Sequence, residues 1–399
     1  MTRESGRAGL VTSGNRAEGM RRANASAVLR AVLGQGGTSR AEITRQTGLS
    51  APSVTKLTAS LIEAGLLTEG ETLPSADLGR PRVPVRIDRA HKAALGMHIG
   101  LERTTLGLVA LDGTVLASEA LLHNDLSPAG IVGQAVEGVG GFVRAHRTGR
   151  VILGTGVSIG GWVDDGVVVE HAPLGWANVA LRDHLTGRVP GPVRLEQHVR
   201  ATAEAELWFG AGRDTDDLVV IFVGHVVDAA IVLNRTIHRG PGSAAGGIDH
   251  LLVAPESTVA CTCGRTGCLQ AVAGDAALLL AAASRLGLAD PDLDRLIAAA
   301  REGLPEADRL LRERAVMVGR AVATVVDLVN PGRVVLAGGV ARDDGHLDDL
   351  RAEAVRLAHR GHDLAGRITA TGLGPGALVV SAAAPVLAAV LSDPLGTLT

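Results

Sequence analysis

Tyrosine is absent, and phenylalanine and tryptophan number three each, so aromatics make up only 2% of the chain. Packing therefore falls to aliphatic and small side chains, in a sequence that is 46% hydrophobic. Its 52 glycines suit many tight strand-to-helix turns. Cysteine is scarce too: three residues, all between 261 and 268, are too few and too close together for a disulfide framework. Residues 1–20 lack the apolar core of a secretory leader. No apolar run is expected to reach membrane-spanning length. These absences point to a reduced, soluble, cytoplasmic protein, and 399 residues are comfortable for two or three domains.

The net charge of −3 hides an asymmetry. Residues 1–92 hold 14 basic against 8 acidic residues, a surplus of six, and the remainder holds 25 against 34. A basic head on an acidic body suits DNA binding joined to a small-molecule domain, although a surplus of six also falls within ordinary variation.

Residues 1–14 are rich in Gly, Ser and Arg and read as a disordered tail. From about Asn24 a helical spacing of Val28, Leu29, Val32 and Leu33 runs to Gly34. Thr38 or Ser39 then caps a helix carrying Ala41 and Ile43, Gly48 turns the chain, and Ser50 caps a second helix with Pro52 in its first turn. Val54, Leu57, Leu61 and Ile62 form the buried stripe of that helix, so Ser53, Thr55 and Lys56 face outward. The order of cap, turn and cap is helix–turn–helix logic, and small polar residues with one lysine can approach base edges and phosphates. A generic helical hairpin is the bland alternative.

Residues 66–88 read as strand, loop, strand, a β-wing whose loop holds Gly79, Arg80, Pro81 and Arg82. Two arginines on a stiff backbone suit a narrow minor groove, or else a solvated linker. The expected DNA contacts are Arg40, Arg45, Ser50, Pro52, Ser53, Thr55, Lys56, Arg80 and Arg82.

Beyond residue 93 the texture becomes that of an α/β chain of two similar halves. Strand-like blocks fall at 93–122, 151–169, 218–233 and 333–339, and helical stretches at about 128–146, 200–209, 275–285 and 306–329. The most specific motif is His250 with Cys261, Cys263 and Cys268. One imidazole and three thiolates within nineteen positions make a complete tetrahedral zinc set, structural because no position is left for water.

This motif, with "AAGGIDH" before it and "CLQAVAG" in it, resembles the ROK family of repressors, open reading frames and sugar kinases. "LGW" at 174–176, "NPGRVVLAGGV" at 330–340 and "GPGALVVSAAAPVL" at 374–387 extend the resemblance over essentially the whole chain, and the head is similar to that of the family's regulators. The resemblance implies an α/β fold: an N-terminal winged helix-turn-helix at 15–90, then two ribonuclease H/actin-like lobes at 91–205 and 206–399, the second with the zinc site.

Several family features are altered. Where the resemblance implies Asp-x-Gly-Gly-Thr near ATP phosphates, the chain reads His98, Ile99, Gly100, Leu101, Glu102. A second phosphate loop reads 224–230 with Val226 and Asp228 in place of glycines, and Glu102 and Asp228 are expected to add repulsion. The catalytic Asn-Asp pair that the resemblance implies reads Gln197-His198, so its carboxylate base is absent, with an in-principle base at His198 as the alternative. Gly247 and Gln270 replace two sugar-binding carboxylates.

The expectation is a DNA-binding transcriptional repressor whose sugar-kinase-like domain serves dimerisation and effector sensing, a homodimer or tetramer on a pseudo-palindromic duplex, without membrane contact or kinase activity. Its effector would sit near Asn178, Gln197, His198, His250 and Gln270, and would be less hydroxyl-rich than a free hexose or carry an anionic group. A sugar kinase with residual activity and a ligand-blind dimerisation scaffold are the alternatives.

Overall fold

The computed structural model describes residues 13–70, 83–359 and 363–396. Three helices open the chain: α1 (Ser13–Leu33), α2 (Arg40–Thr47) and α3 (Ala51–Glu63). Strands β1 (Leu67–Glu69) and β2 (Val85–Ile87) follow and pair antiparallel, Leu67 opposite Ile87. Ala25, Val28, Leu29 and Val32 of α1 bury against Ile43, Val54 and Leu61, which closes the head. Helix α1 starts well before Asn24, and Ser13 and Gly14 of the expected tail already belong to it; the rest of that tail lies outside the described residues.

The first lobe runs through β3 (Lys92–Ile99), β4 (Arg103–Ala110), β5 (Val115–Leu122), α4 (Pro128–His146), β6 (Val151–Ile159), β7 (Trp162–Asp164), β8 (Val167–His171), β9 (Trp176–Val179), α5 (Leu181–Leu185) and β10 (Val193–Gln197). The second comprises α6 (His198–Phe209), β11 (Leu218–Val223), β12 (Val227–Leu233), β13 (Thr236–His238), α7 (Leu269–Ala273), α8 (Asp275–Leu286), α9 (Leu293–Arg301), α10 (Pro305–Val329), β14 (Arg333–Gly338), α11 (Leu347–Leu357), α12 (Leu364–Arg367) and β15 (Ile368–Ala370), before α13 (Ala377–Ser392).

The two main sheets share one plan. Their orders are β10-β6-β3-β4-β5 and β13-β12-β11-β14-β15. In each, three consecutive antiparallel strands are extended by two parallel ones on the side of the first strand. Between the sheets lie α13 and α6, packed on each other, α13 against β3, β4 and β6 and α6 against β11 and β12.

That arrangement depends on missing side chains. A Cβ at Gly96 would stand 2.3 Å from the Val379 carbonyl oxygen, and one at Gly156 would stand 2.0 Å from that of Ala382. Glycines on neighbouring strands thus cut a channel into which an alanine-rich helix sinks, compensating for the shortage of large rings. Two expectations change here. The segment Gly374–Ser392, mean hydropathy 1.9, is long and apolar enough to cross a membrane, yet 61% of it is buried among the lobes. The same helix packs on the first sheet, so a second lobe running unbroken over 206–399 does not describe it.

Candidate DNA-reading head, metal cluster and interlobe cleft

In the head, Ser39 accepts a hydrogen bond from the Glu42 amide at 3.2 Å and caps α2. Gly48 ends α2 in the left-handed region at φ 68°, which glycine adopts without strain. Ser50 accepts from the Ser53 amide at 3.4 Å to cap α3. Val54, Leu57 and Leu61 are buried, while Pro52, Ser53, Thr55 and Lys56 lie exposed on the opposite face.

Two expected contacts are spoken for internally. Arg40 turns inward, its Nε donating to Thr58 Oγ1 at 3.2 Å and its Nη2 to Glu69 Oε1 at 2.7 Å. Arg45 is exposed but pairs with Glu42 at 2.6 Å. Thr58, fully buried and donating to the Val54 carbonyl, was not anticipated in the stripe. Arg80 and Arg82 lie outside the described residues.

The metal motif occupies the excursion between β13 and α7. Residues 260 and 266 pair across a tight turn in which the Cys261 amide donates to the Arg265 carbonyl at 2.7 Å. Gly267, at φ 70°, passes so close that a Cβ would meet the Ala254 oxygen at 2.0 Å. This folding brings one donor atom from each of His250, Cys261, Cys263 and Cys268 within 4.8 Å of one another. A tetrahedral zinc with thiolates about 2.3 Å away needs edges of nearly that order, so the donor set fits. Hydrogen bonds from Arg265 hold the exposed Cys263 thiol down at about 6, while burial pushes Cys268 up to about 11.

Between the lobes lies a cavity of about 590 Å³ whose lining includes Gln197, His250 and Gln270 together with Trp162, Asp228 and Asp249. Gln197 donates to the Gly161 carbonyl at 3.0 Å and leaves its buried Oε1 without a partner. The other two expected effector residues are not in the lining. Asn178 is exposed on β9 in a left-handed conformation, φ 54°.

His198 is buried edge-on to Phe222, ring centroids 3.9 Å apart, and 5.7 Å from His98. Burial, then the neighbouring His98 and His171, hold its ring down at about 3. His98, which bonds Ser158 Oγ at 3.0 Å, is held at about 4 by burial. Neutral imidazoles therefore fill the space between the lobes at this point.

The expected repulsion also changes. Burial, reinforced by Asp249, pushes Asp228 up to about 8, so near pH 7 it largely keeps its proton, and Glu102 is exposed and paired with Arg103 at 3.2 Å. Among the described residues the cleft lining holds three carboxyl groups, two histidines and no lysine or arginine, so an anionic effector finds no permanent cation there. Sequence reading passed over Arg200, 1% exposed, which bonds Glu196 at 2.6 Å and the Val163 and Ser243 carbonyls, joining the lobes beneath the cleft. Glu196 lies at the end of β10 and Arg200 in the first turn of α6, so no helical spacing in the sequence signalled the pair.

Residues 94–388 match the ROK family, and residues 18–73 the MarR family. A transcriptional regulator of Mycobacterium tuberculosis is 33% identical over 331 residues, covering 79% of this chain and 74% of that protein. The DNA-binding transcriptional dual regulator NagC of Escherichia coli is 29% identical, covering 80% and 81%. Among solved structures, a ROK family transcriptional regulator homologous to the E. coli MLC protein superposes with a TM-score of 0.74 at 23% identity, over 94% of this chain and 98% of that one. A Streptomyces griseus glucokinase in complex with glucose and AMPPNP aligns at 0.64 and 28%, over 73% and 98%.

Proposed function

The chain belongs to the ROK family, and from that premise we propose that it is a cytoplasmic transcriptional regulator that binds duplex DNA through α3 and represses from a pseudo-palindromic site as a homodimer. The observation that carries the reading is the exposed face of α3, where Pro52, Ser53, Thr55 and Lys56 stand clear of the buried stripe on a helix capped at Ser50. A recognition helix reads only a half-site, so a dimer is the matching assembly. The matched regulators of M. tuberculosis and E. coli support it.

The protein is not an enzyme. Its regulator relatives span about four-fifths of the chain, and the position expected to hold a catalytic base carries the buried, neutral His198. His250, Cys261, Cys263 and Cys268 hold a structural zinc that fixes the excursion over the cleft, supplying folding energy rather than chemistry. The cleft itself takes a neutral or amine-bearing sugar-class effector, because its charged lining is acidic and its polar lining is amide-rich. Footprinting with fragments upstream of the protein's own coding sequence tests the central claim. Protection of two half-sites about one helical turn apart supports it, and no sequence-selective protection on any genomic fragment overturns it.

A further inference from the structure

A second cavity, of about 420 Å³, lies where the head meets the body. Helix α1 contributes Arg30 and Leu33, with Gly34 just after it, and the body contributes the end of α6, the loop after it and two further arginines. Among the described residues, Arg30, Arg213, Arg235 and Arg333 line it with one carboxylate, Asp214, and Asp216 stands close by, 4.0 Å from Arg235. Asp214 is engaged by Arg333 at 3.0 Å. Arg235 donates to the Leu207, Arg213 and Thr215 carbonyls, and its buried Nε has no acceptor. The Arg30 guanidinium lies over the Trp208 ring, 4.6 Å from its centroid. Neither Arg30 nor Arg213 has a side-chain hydrogen bond or ion pair among the described residues.

The helix ends at this site weigh the other way. Both α1 and α6 end here, and each C-terminus contributes roughly half a negative charge. Two such ends, Asp214 and Asp216, which stands 4.0 Å from Arg235, still leave about one positive charge uncompensated among four guanidinium groups. Burial first, then the charge of Arg235, lowers the Arg30 pKa, which records that the arginines of head and body oppose each other.

We infer that this joint binds a small oxyanion of the phosphate class, held between Arg30 of the head and Arg213 and Arg235 of the body. Guanidinium forks match tetrahedral oxyanions in geometry, and an anion placed here replaces repulsion across the joint with attraction on both sides. Occupancy fixes α1 to the body and so ties the head to the lobes. The site is separate from the cleft, whose lining has no lysine or arginine among the described residues, and the inference does not depend on the DNA-binding reading.

The test uses the full chain without DNA. Inorganic phosphate and glycerol phosphate are each titrated against potassium chloride at constant ionic strength, following tryptophan emission and thermal midpoint. Both probes are expected to give saturable changes, with the emission change lost in Trp208→Phe. Arg30→Gln and Arg213→Gln are expected to weaken binding about tenfold or more, since each removes a charge-assisted contact. Tighter binding of the ester assigns the cavity to an organic phosphate, and equal binding to the free ion. Arg213 lies in an exposed loop, so its variant remains informative if Arg30→Gln fails to fold. Phosphate acting no differently from chloride overturns the inference. So does a phosphate response unchanged in both variants.

Discussion

The carboxylate of Asp249 stands 3.2 Å from Nε2 of His250, while Nδ1 of the same ring faces Cys261 Sγ at 3.4 Å. The imidazole is thus held from behind while it offers its other nitrogen to the cysteine cluster. A carboxylate in that position fixes the tautomer and raises the basicity of a metal-bound histidine. Asp249→Asn is expected to lower zinc affinity about 10- to 100-fold, measured by competition with a chromogenic chelator. An unchanged affinity would remove Asp249 from the metal site.

The three thiols should respond unequally. Purified protein is expected to carry about one zinc per chain. Cys263→Ser, at an exposed position, should reduce metal content with a moderate loss of stability. Cys268 is 1% exposed, so Cys268→Ser also buries a hydroxyl and should cost about 1–3 kcal/mol more. Elemental analysis with urea unfolding separates the two, and full zinc occupancy in Cys263→Ser refutes the ligand assignment.

Much of this architecture was legible because it is written in local signals. The caps at Ser39 and Ser50 and the turn at Gly48 depend on neighbours within four residues, and they appear where the spacing put them. The cluster of His250, Cys261, Cys263 and Cys268 was legible because its donors span only nineteen positions. What stayed hidden depends on distant contacts. Arg40 reads as a free cation until β1 brings Glu69 to it, and Asp228 reads as charged until Asp249 and burial hold its proton on. Helix α13 leaves the lobe that precedes it because glycines on β3, β4 and β6, far earlier in the sequence, make room for it.

Lys56 and Arg40 make opposite cases at the head. Lys56→Ala should weaken binding to all DNA sequences and lower the slope of log affinity against log salt by about one unit. Arg40→Ala instead removes internal bonds to Thr58 and Glu69, and should destabilise the head by about 1 kcal/mol with the salt slope unchanged. Salt-dependent fluorescence anisotropy reads both. A reduced slope in Arg40→Ala would return that arginine to the DNA interface.

Glu204 on α6 supplies a pH signature away from the cysteine cluster. Burial, reinforced by Glu196, pushes its carboxyl up to about 7. The folded protein therefore keeps this proton up to about pH 7, whereas the unfolded chain releases it near 4.5. Between those values the folded state holds more protons, so this group lowers stability as pH rises through the window and adds no further loss above it. Glu204→Gln should stabilise the protein by about 1–2 kcal/mol at pH 8 and by clearly less at pH 5. Urea midpoints at the two pH values check it, and an equal effect at both would place the Glu204 titration outside that window.

The absence of phosphoryl transfer is the last prediction, and the geometry changes its grounds. Repulsion by Glu102 and Asp228 no longer carries it, because Glu102 is paired at the surface and Asp228 largely keeps its proton near neutral pH. The weight passes to proton removal and access. A sugar hydroxyl needs a base within hydrogen-bond reach. His198 is closed in by Phe222 and His98, its Nε2 is buried without a partner, and it does not line the cleft. Gln197, which does line the cleft, cannot accept a proton at neutral pH. Asp228 lines it too, but a carboxyl that titrates near 8 is mostly protonated and acts first as a donor. Incubation with ATP, magnesium and a panel of hexoses and amino sugars should release no ADP above the sugar-free rate at pH 7. The rate should stay at background at pH 9, where Asp228 has ionised, because no glycine-lined turn accompanies it: Val226 and Asp228 themselves occupy 224–230. Sugar-dependent ADP release that appears only above pH 8 and is lost in Asp228→Asn would make Asp228 the base and restore the kinase reading. Release lost in His198→Gln at pH 7 would do the same for His198.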